Sequence, residues 1–264
     1  MGLLLSRLHT TGLSSAPQLQ KIKKMLTTIR HKLSQNPNAS LTWFLLGLLF
    51  PHLGQRLLPL APSLPSPLSL WKWRSTNTAR FAAGVSGSWA CLSLLLDPEL
   101  RKDLMLSSSP SSRSLISFSI GVHVSEALDM LLHGQLNMLF VHHFFVILCF
   151  SGALFKKVAL GFAVLSLVTE LNSVFNKTRI LYLVSGLSKA SKDFQWIAYL
   201  NVATFAIRMI IIGWMNKKSF SYTKILPKSF ILPCILGITT VNFWNISVFR
   251  QLIVSDIVKF SNQA

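Results

Sequence analysis

The feature that most constrains this chain is a succession of apolar runs, each long enough to cross a bilayer, joined by short basic connections and almost free of carboxylates. A crossing helix needs roughly 20 apolar residues. The runs fall at about 41–60, 79–96, 114–133, 136–155, 158–176, 194–215 and 230–254. They predict an all-α membrane protein, a multi-pass bundle of about six to seven transmembrane helices, and leave no room for a separate aqueous domain. Hydrophobic residues make up 51% of the 264 and charged ones only 13%, against about 25% charged in soluble domains. Disorder is excluded, because it needs low hydrophobicity.

Lys and Arg number 26 against 8 Asp and Glu. They lie at the ends of apolar runs rather than in one cluster, which suits anionic headgroups and topology signals, not nucleic acid. Cys91, Cys149 and Cys234 fall in three different runs without CxxC spacing and read as small buried hydrophobes. Residues 1–40 form a basic tail in which Leu19, Ile22, Leu26, Ile29 and Leu33 recur at helical spacing; an interfacial anchor, a targeting segment and a plain cytoplasmic tail all fit this pattern. Residues 41–70 hold the first span and a proline-rich linker, four prolines standing between Pro59 and Pro67. Asp97 to Arg113 reads as a Ser-rich loop. His133-Gly134-Gln135 forces a tight hairpin.

Charged groups at membrane depth cost about 2.5–3.5 kcal/mol each on insertion scales and therefore mark function by default. Glu126, Asp129 and Glu170 lie within predicted spans, as do His123, His142 and His143, with His133 at a span end. At about 100° per residue, His123, Glu126, Asp129 and His133 share an arc of about 120°. Such a face must look into a bundle interior or a wet cavity. The hairpin brings His142 and His143 toward the same interior, and their 100° divergence turns only one of them to the carboxylates. Glu170, with Asn172 and Ser173, is a third contribution. A His poised by a carboxylate can act as general base on an acyl thioester. Several His with carboxylates can hold zinc or iron. A buried hydrogen-bond network that fixes helix register is the structural reading.

Along the segment 71–256 stand Trp71-Lys72-Trp73-Arg74, Gly84 to Trp89, Gly121 with Glu126 and Asp129, Gly134-Gln135, the pair His142-His143, Ser151-Gly152, and Glu170 with Asn172, Ser173, Phe175 and Arg179. In these pieces the segment resembles the TLC domain, the TRAM/LAG/CLN homology shared by ceramide synthases and membrane-lipid regulators. It is most similar to the subgroup that regulates phospholipid composition and fluidity of the plasma membrane. It departs from that subgroup at Ala82-Ala83 and Ser125-Glu126, where histidines are usual.

The resemblance implies a bundle around a lipid-accessible polar cavity, with residues 257–264 as a short tail. His142, His143, Asp129, Glu126 and Glu170 are the candidate chemical groups; His123, His133, Asn172, Ser173 and Arg179 are the candidate lipid contacts. The expected partners are membrane lipids, with acyl-CoA if the protein is an acyltransferase. No resident metal or cofactor is expected, and the location is the plasma membrane or, alternatively, the endoplasmic reticulum. A lipid acyltransferase of ceramide-synthase type and a non-catalytic trafficking adaptor are the rival readings.

Overall fold

The computed structural model describes residues 39–57 and 67–258. The amphipathic pattern at 19–33, the linker from Pro59 and the tail at 259–264 lie outside the described residues. Among the described residues every regular element is helical: α1 (Ala39–Leu57), α2 (Pro67–Leu96), α3 (Pro98–Lys102), α4 (Pro110–Leu132), α5 (Met138–Lys156), α6 (Leu160–Val168), α7 (Glu170–Val184), α8 (Lys192–Ser221), α9 (Lys228–Ile253) and a closing π-turn, Val254–Val258. Five stretches, in α2, α4, α5, α8 and α9, are long and apolar enough to cross a membrane. The chain is an all-α multi-pass membrane protein, as its apolar runs predict.

Local chemistry sets the helix ends. Pro110 at the first turn and a reciprocal Ser109–Ser112 capping box start α4, so this helix begins four residues earlier than its apolar run does. Part of the segment read as a Ser-rich loop is therefore helical, including the short α3, which opens on Pro98 after Asp97. The α4–α5 connection turns at Gly134 with φ 65°, a left-handed conformation that glycine adopts without a Cβ penalty, and Asn137 caps α5 through the Leu139 amide at 2.9 Å.

Two expected spans are corrected. The run 41–60 gives α1, which with Pro51, His52 and Arg56 is not among the five helices long and apolar enough to cross. The run 158–176 is not a single helix: α6 ends at Val168, Thr169 turns its hydroxyl onto the Ser166 carbonyl at 2.6 Å, and α7 restarts at Glu170. A hydroxyl bonding back to the preceding turn offers the backbone an alternative to the helical ladder. Broken backbone at membrane depth is tolerated only where it is buried in protein or lines a cavity, and Thr169 lines one.

Neighbour relations close into a ring in the order α2, α4, α5, α9, α8, α7 and back to α2, with α6 packed against members on both sides. The ring is apolar outward: Leu132, Phe155, Ile210 and Phe243 are each more than 70% exposed, as befits surfaces whose solvent is hydrocarbon. Its interior holds the polar side chains Ser117, Ser119, His123, Ser125, His143, Asn172, Asn201, Arg208 and Asn245, all buried. Small serines on α4 let neighbouring backbones approach closely, which is what drives helix association where lipid removes the hydrophobic contrast.

The chain end is tied back to the ring. Arg179 on α7 grips Asp256 in the π-turn through Nε to Oδ2 and through Nη2 to Oδ1, the latter at 2.8 Å. Lys189 stands 3.5 Å from the same carboxylate and Ser255 donates to it at 2.8 Å. Arg179→Met is expected to destabilise the protein by about 2 kcal/mol, the scale of hydrogen bonds to a charged group, with Lys189 keeping part of the compensation. A fluorescence-detected melting series on the detergent-solubilised variant checks this; an unchanged midpoint would show that the α9 end is held by packing alone.

Candidate functional site

Two cavities inside the ring share five lining residues, His123, His142, Leu167, Glu170 and Arg208. One is mainly apolar and contains about 970 Å³ of empty space including its mouth, with walls such as Phe145, Phe150, Phe162, Met215, Phe230 and Ile238. The other contains about 890 Å³ on the same basis and is the more polar of the two, with Glu126, His143, Asn172, Ser173, Lys177 and Asn245 added to the shared residues. The more polar chamber therefore adjoins the more apolar one across a rim of two imidazoles, a carboxylate and a guanidinium. This is the complement of an amphiphile.

The geometry of the polar chamber follows from helix periodicity. His123 and Glu126, one turn apart on α4, point the same way. His143 on α5 meets both: its Nδ1 lies 3.0 Å from His123 Nδ1, and its Nε2 lies 3.5 Å from Glu126 Oε2, which is also 3.9 Å from His123 Nδ1. His142 takes the other direction, its ring 5.8 Å from that of Trp244 on α9, with Nδ1 buried and without a partner among the described residues. The expected divergence of the two neighbours is what the helix produces, and both still line the chambers because the ring closes around them.

On the opposite wall, Asn172 donates from Nδ2 to the Asn201 carbonyl and side-chain oxygens at 3.1 Å each and to Thr204 Oγ1 at 2.9 Å, fixing α7 against α8. Arg208 Nη1 reaches Ser173 Oγ at 3.3 Å, while its Nε has no partner among the described residues; Asn245 Nδ2 is likewise unpartnered. Lys177 lines the polar chamber and donates to the Ala79 carbonyl at 3.4 Å. The chamber is thus lined by two carboxylates, Glu126 and Glu170, and two basic side chains, Lys177 and Arg208.

The structure brings together His123, Glu126, His142, His143, Glu170, Asn172 and Ser173, and separates three other candidates from them. Asp129 does not reach the chamber: both of its carboxylate oxygens accept from Trp71 Nε1 at 3.1 Å. His133 stacks on the same indole at 4.3 Å and bonds the Asp129 carbonyl at 2.8 Å near the helix end. These two share the helix face of His123 but sit further along it, since each residue adds about 1.5 Å of rise. Arg179 is spent on Asp256. Arg208, Lys177 and Trp244 were missed by the sequence reading. Arg208 carried a signal, a charge in the middle of the apolar run 194–215, seven residues after Asn201 and hence on the same helix face.

Comparison with known proteins agrees with this architecture. The TLC domain model matches residues 72–254. TLC domain-containing protein 2 of Danio rerio is 29% identical over 198 residues, covering 73% of this chain and 80% of the relative. The Homo sapiens protein of the same name is 27% identical, covering 79% of each chain. TLC domain-containing protein 1 of Mus musculus is 27% identical over 59% of this chain and 64% of its own length. No solved structure matches the chain. Family membership of this kind supports a membrane-lipid role. With the family model covering most of the ring that encloses the two chambers, the chain belongs to the TLC domain family.

Proposed function

We propose that this protein is a membrane-lipid regulator that controls phospholipid composition and fluidity, at the plasma membrane, by holding a lipid in its intramembrane cavity. The observation that carries the reading is the joined pair of chambers. The apolar one takes an acyl chain and the polar one a headgroup, and the shared residues His142, Glu170 and Arg208 stand at the junction. Buried polar groups without partners are costly in an apolar interior, and His142, Arg208 and Asn245, each with a side-chain nitrogen lacking a partner among the described residues, all line the more polar chamber.

Native mass spectrometry of the full-length protein released from detergent tests the proposal. A lipid mass retained on the folded protein is expected, and it names the ligand class directly. His142→Ala with His143→Ala is expected to lower that occupancy while the protein remains folded. A folded, lipid-free wild-type protein would overturn the reading.

A second reading, acyl transfer, is favoured by one contact, that between His143 and Glu126. A base oriented by a carboxylate in a cavity with an acyl-sized apolar branch fits deprotonation of an amine or hydroxyl attacking acyl-CoA. In that reading Glu126, not Asp129, orients the imidazole. Labelled acyl-CoA offered with a panel of long-chain amines and lysolipids decides it by product formation.

A further inference from the structure

We infer that His123, Glu126 and His143 form a divalent transition-metal site, of the class that takes zinc, with its open coordination position facing the polar chamber. Each of the three offers one ligand atom, and these atoms lie within 4.8 Å of one another. The closest nitrogens, His123 Nδ1 and His143 Nδ1, are 3.0 Å apart. Zinc–nitrogen bonds of about 2.0–2.1 Å place tetrahedral ligand atoms roughly 3.3 Å apart, against 3.0 Å between the two imidazole nitrogens and 3.9 Å from His123 Nδ1 to Glu126 Oε2.

The frame that holds the cluster is rigid. His123 and Glu126 are fixed one turn apart on α4, a helical His/Glu spacing that bundle metalloproteins use to converge ligands on a core ion. His143 comes from the antiparallel neighbour and is 4% exposed, His123 7%. Two imidazoles and one carboxylate are a ligand set suited to zinc, and three protein ligands with one open position are the pattern of sites that bind a water or a substrate rather than merely staple a fold. Glu126 supplies one negative charge to the ion directly, and Glu170 lines the same chamber. Without an ion, two imidazole nitrogens face each other at hydrogen-bond distance and use only one proton between them. With one, both act as neutral ligands.

The site does not rest on the lipid reading, and the two fail separately. Full-length protein is purified through a histidine-free tag, stripped with chelator and equilibrated with Zn²⁺ alone, then assayed for metal by mass spectrometry. About one zinc per chain is expected. Loss even of a residue that only supports a metal ligand costs about 10–100-fold in affinity, so Glu126→Gln and His143→Ala are each expected to lose the metal at the same free zinc, whereas His133→Ala keeps it. Co²⁺ bound to the unaltered protein should show the intense visible bands of a four-coordinate ion, a readout that stands even if His143→Ala does not fold. Substoichiometric zinc in the folded wild type, absence of those bands, or full retention of zinc by folded Glu126→Gln would each overturn the site.

Discussion

Arg208→Met is expected to lower the affinity for co-purifying lipid about ten- to a hundredfold in a protein that still folds. Arg208 is 8% exposed, in the middle of α8, and makes a single weak hydrogen bond, 3.3 Å to Ser173, with Nε facing no partner. A guanidinium carries five donors and stays charged. Holding one in an apolar ring is a cost to folding that its attraction to Glu170 offsets in part, and removing one partner of a buried charge pair leaves the other uncompensated. The donors that the protein leaves unused are what the arginine offers to a ligand. Charge-assisted hydrogen bonds are worth about 1.5–3 kcal/mol, and each 1.4 kcal/mol is tenfold in affinity, which sets the expected loss. Arg208→Lys keeps the charge but loses the planar fork, and should fall between. The check is native mass spectrometry for lipid beside a melting curve. Wild-type lipid occupancy in a folded Arg208→Met protein would remove the guanidinium from headgroup binding, and a collapsed midpoint would make it a structural residue.

How much of this site was legible beforehand depends on which physical signal each residue carried. The polar face of α4 was readable because charge at membrane depth is expensive, and the split between His142 and His143 followed from 100° per residue. Periodicity gives angle, however, not level. Asp129 and His133 share the angle of His123, yet six and ten residues of rise, about 9 and 15 Å, carry them to the end of the helix, where Trp71 captures them. The break at Thr169 was hidden for a different reason. Leu160 to Val168 is apolar save Ser166, α6 being packed by neighbours on several faces, and the polar residues that follow, Thr169, Glu170, Asn172 and Ser173, read as the polar face of one helix as readily as a restart. The place of Trp244 beside His142 is decided by how α9 closes the ring, a tertiary fact with no local trace.

That closure is also where the fold is least tolerant. Gly121→Leu is expected to abolish accumulation of folded protein, or to lower stability by about 3 kcal/mol or more, the upper range for overpacking a filled interior. A Cβ built on Gly121 would collide with the Phe44 carbonyl oxygen and come within 2.6 Å of the Leu48 amide nitrogen and 2.9 Å of the Gly47 carbonyl carbon. These are backbone atoms of α1, so no rotamer change makes room. The crossing is reciprocal, because a Cβ on Gly47 would meet the Phe118 carbonyl of α4. Around this contact Phe50 packs edge-on to Phe118 with ring centroids 5.4 Å apart, and Trp43 meets Trp89 at 4.9 Å. Separating α1 from α4 therefore loosens aromatic packing on the outer wall of the helix that presents His123 and Glu126. Gly121→Ala, with one methyl, should already lower the midpoint measured by fluorescence-detected gel filtration after heating, whereas Gly213→Ala, where a Cβ meets nothing within 4 Å, should not. If Gly121→Leu yields protein as stable as wild type, α1 does not cross α4 at these glycines, and the outer wall of the chamber is built from other contacts.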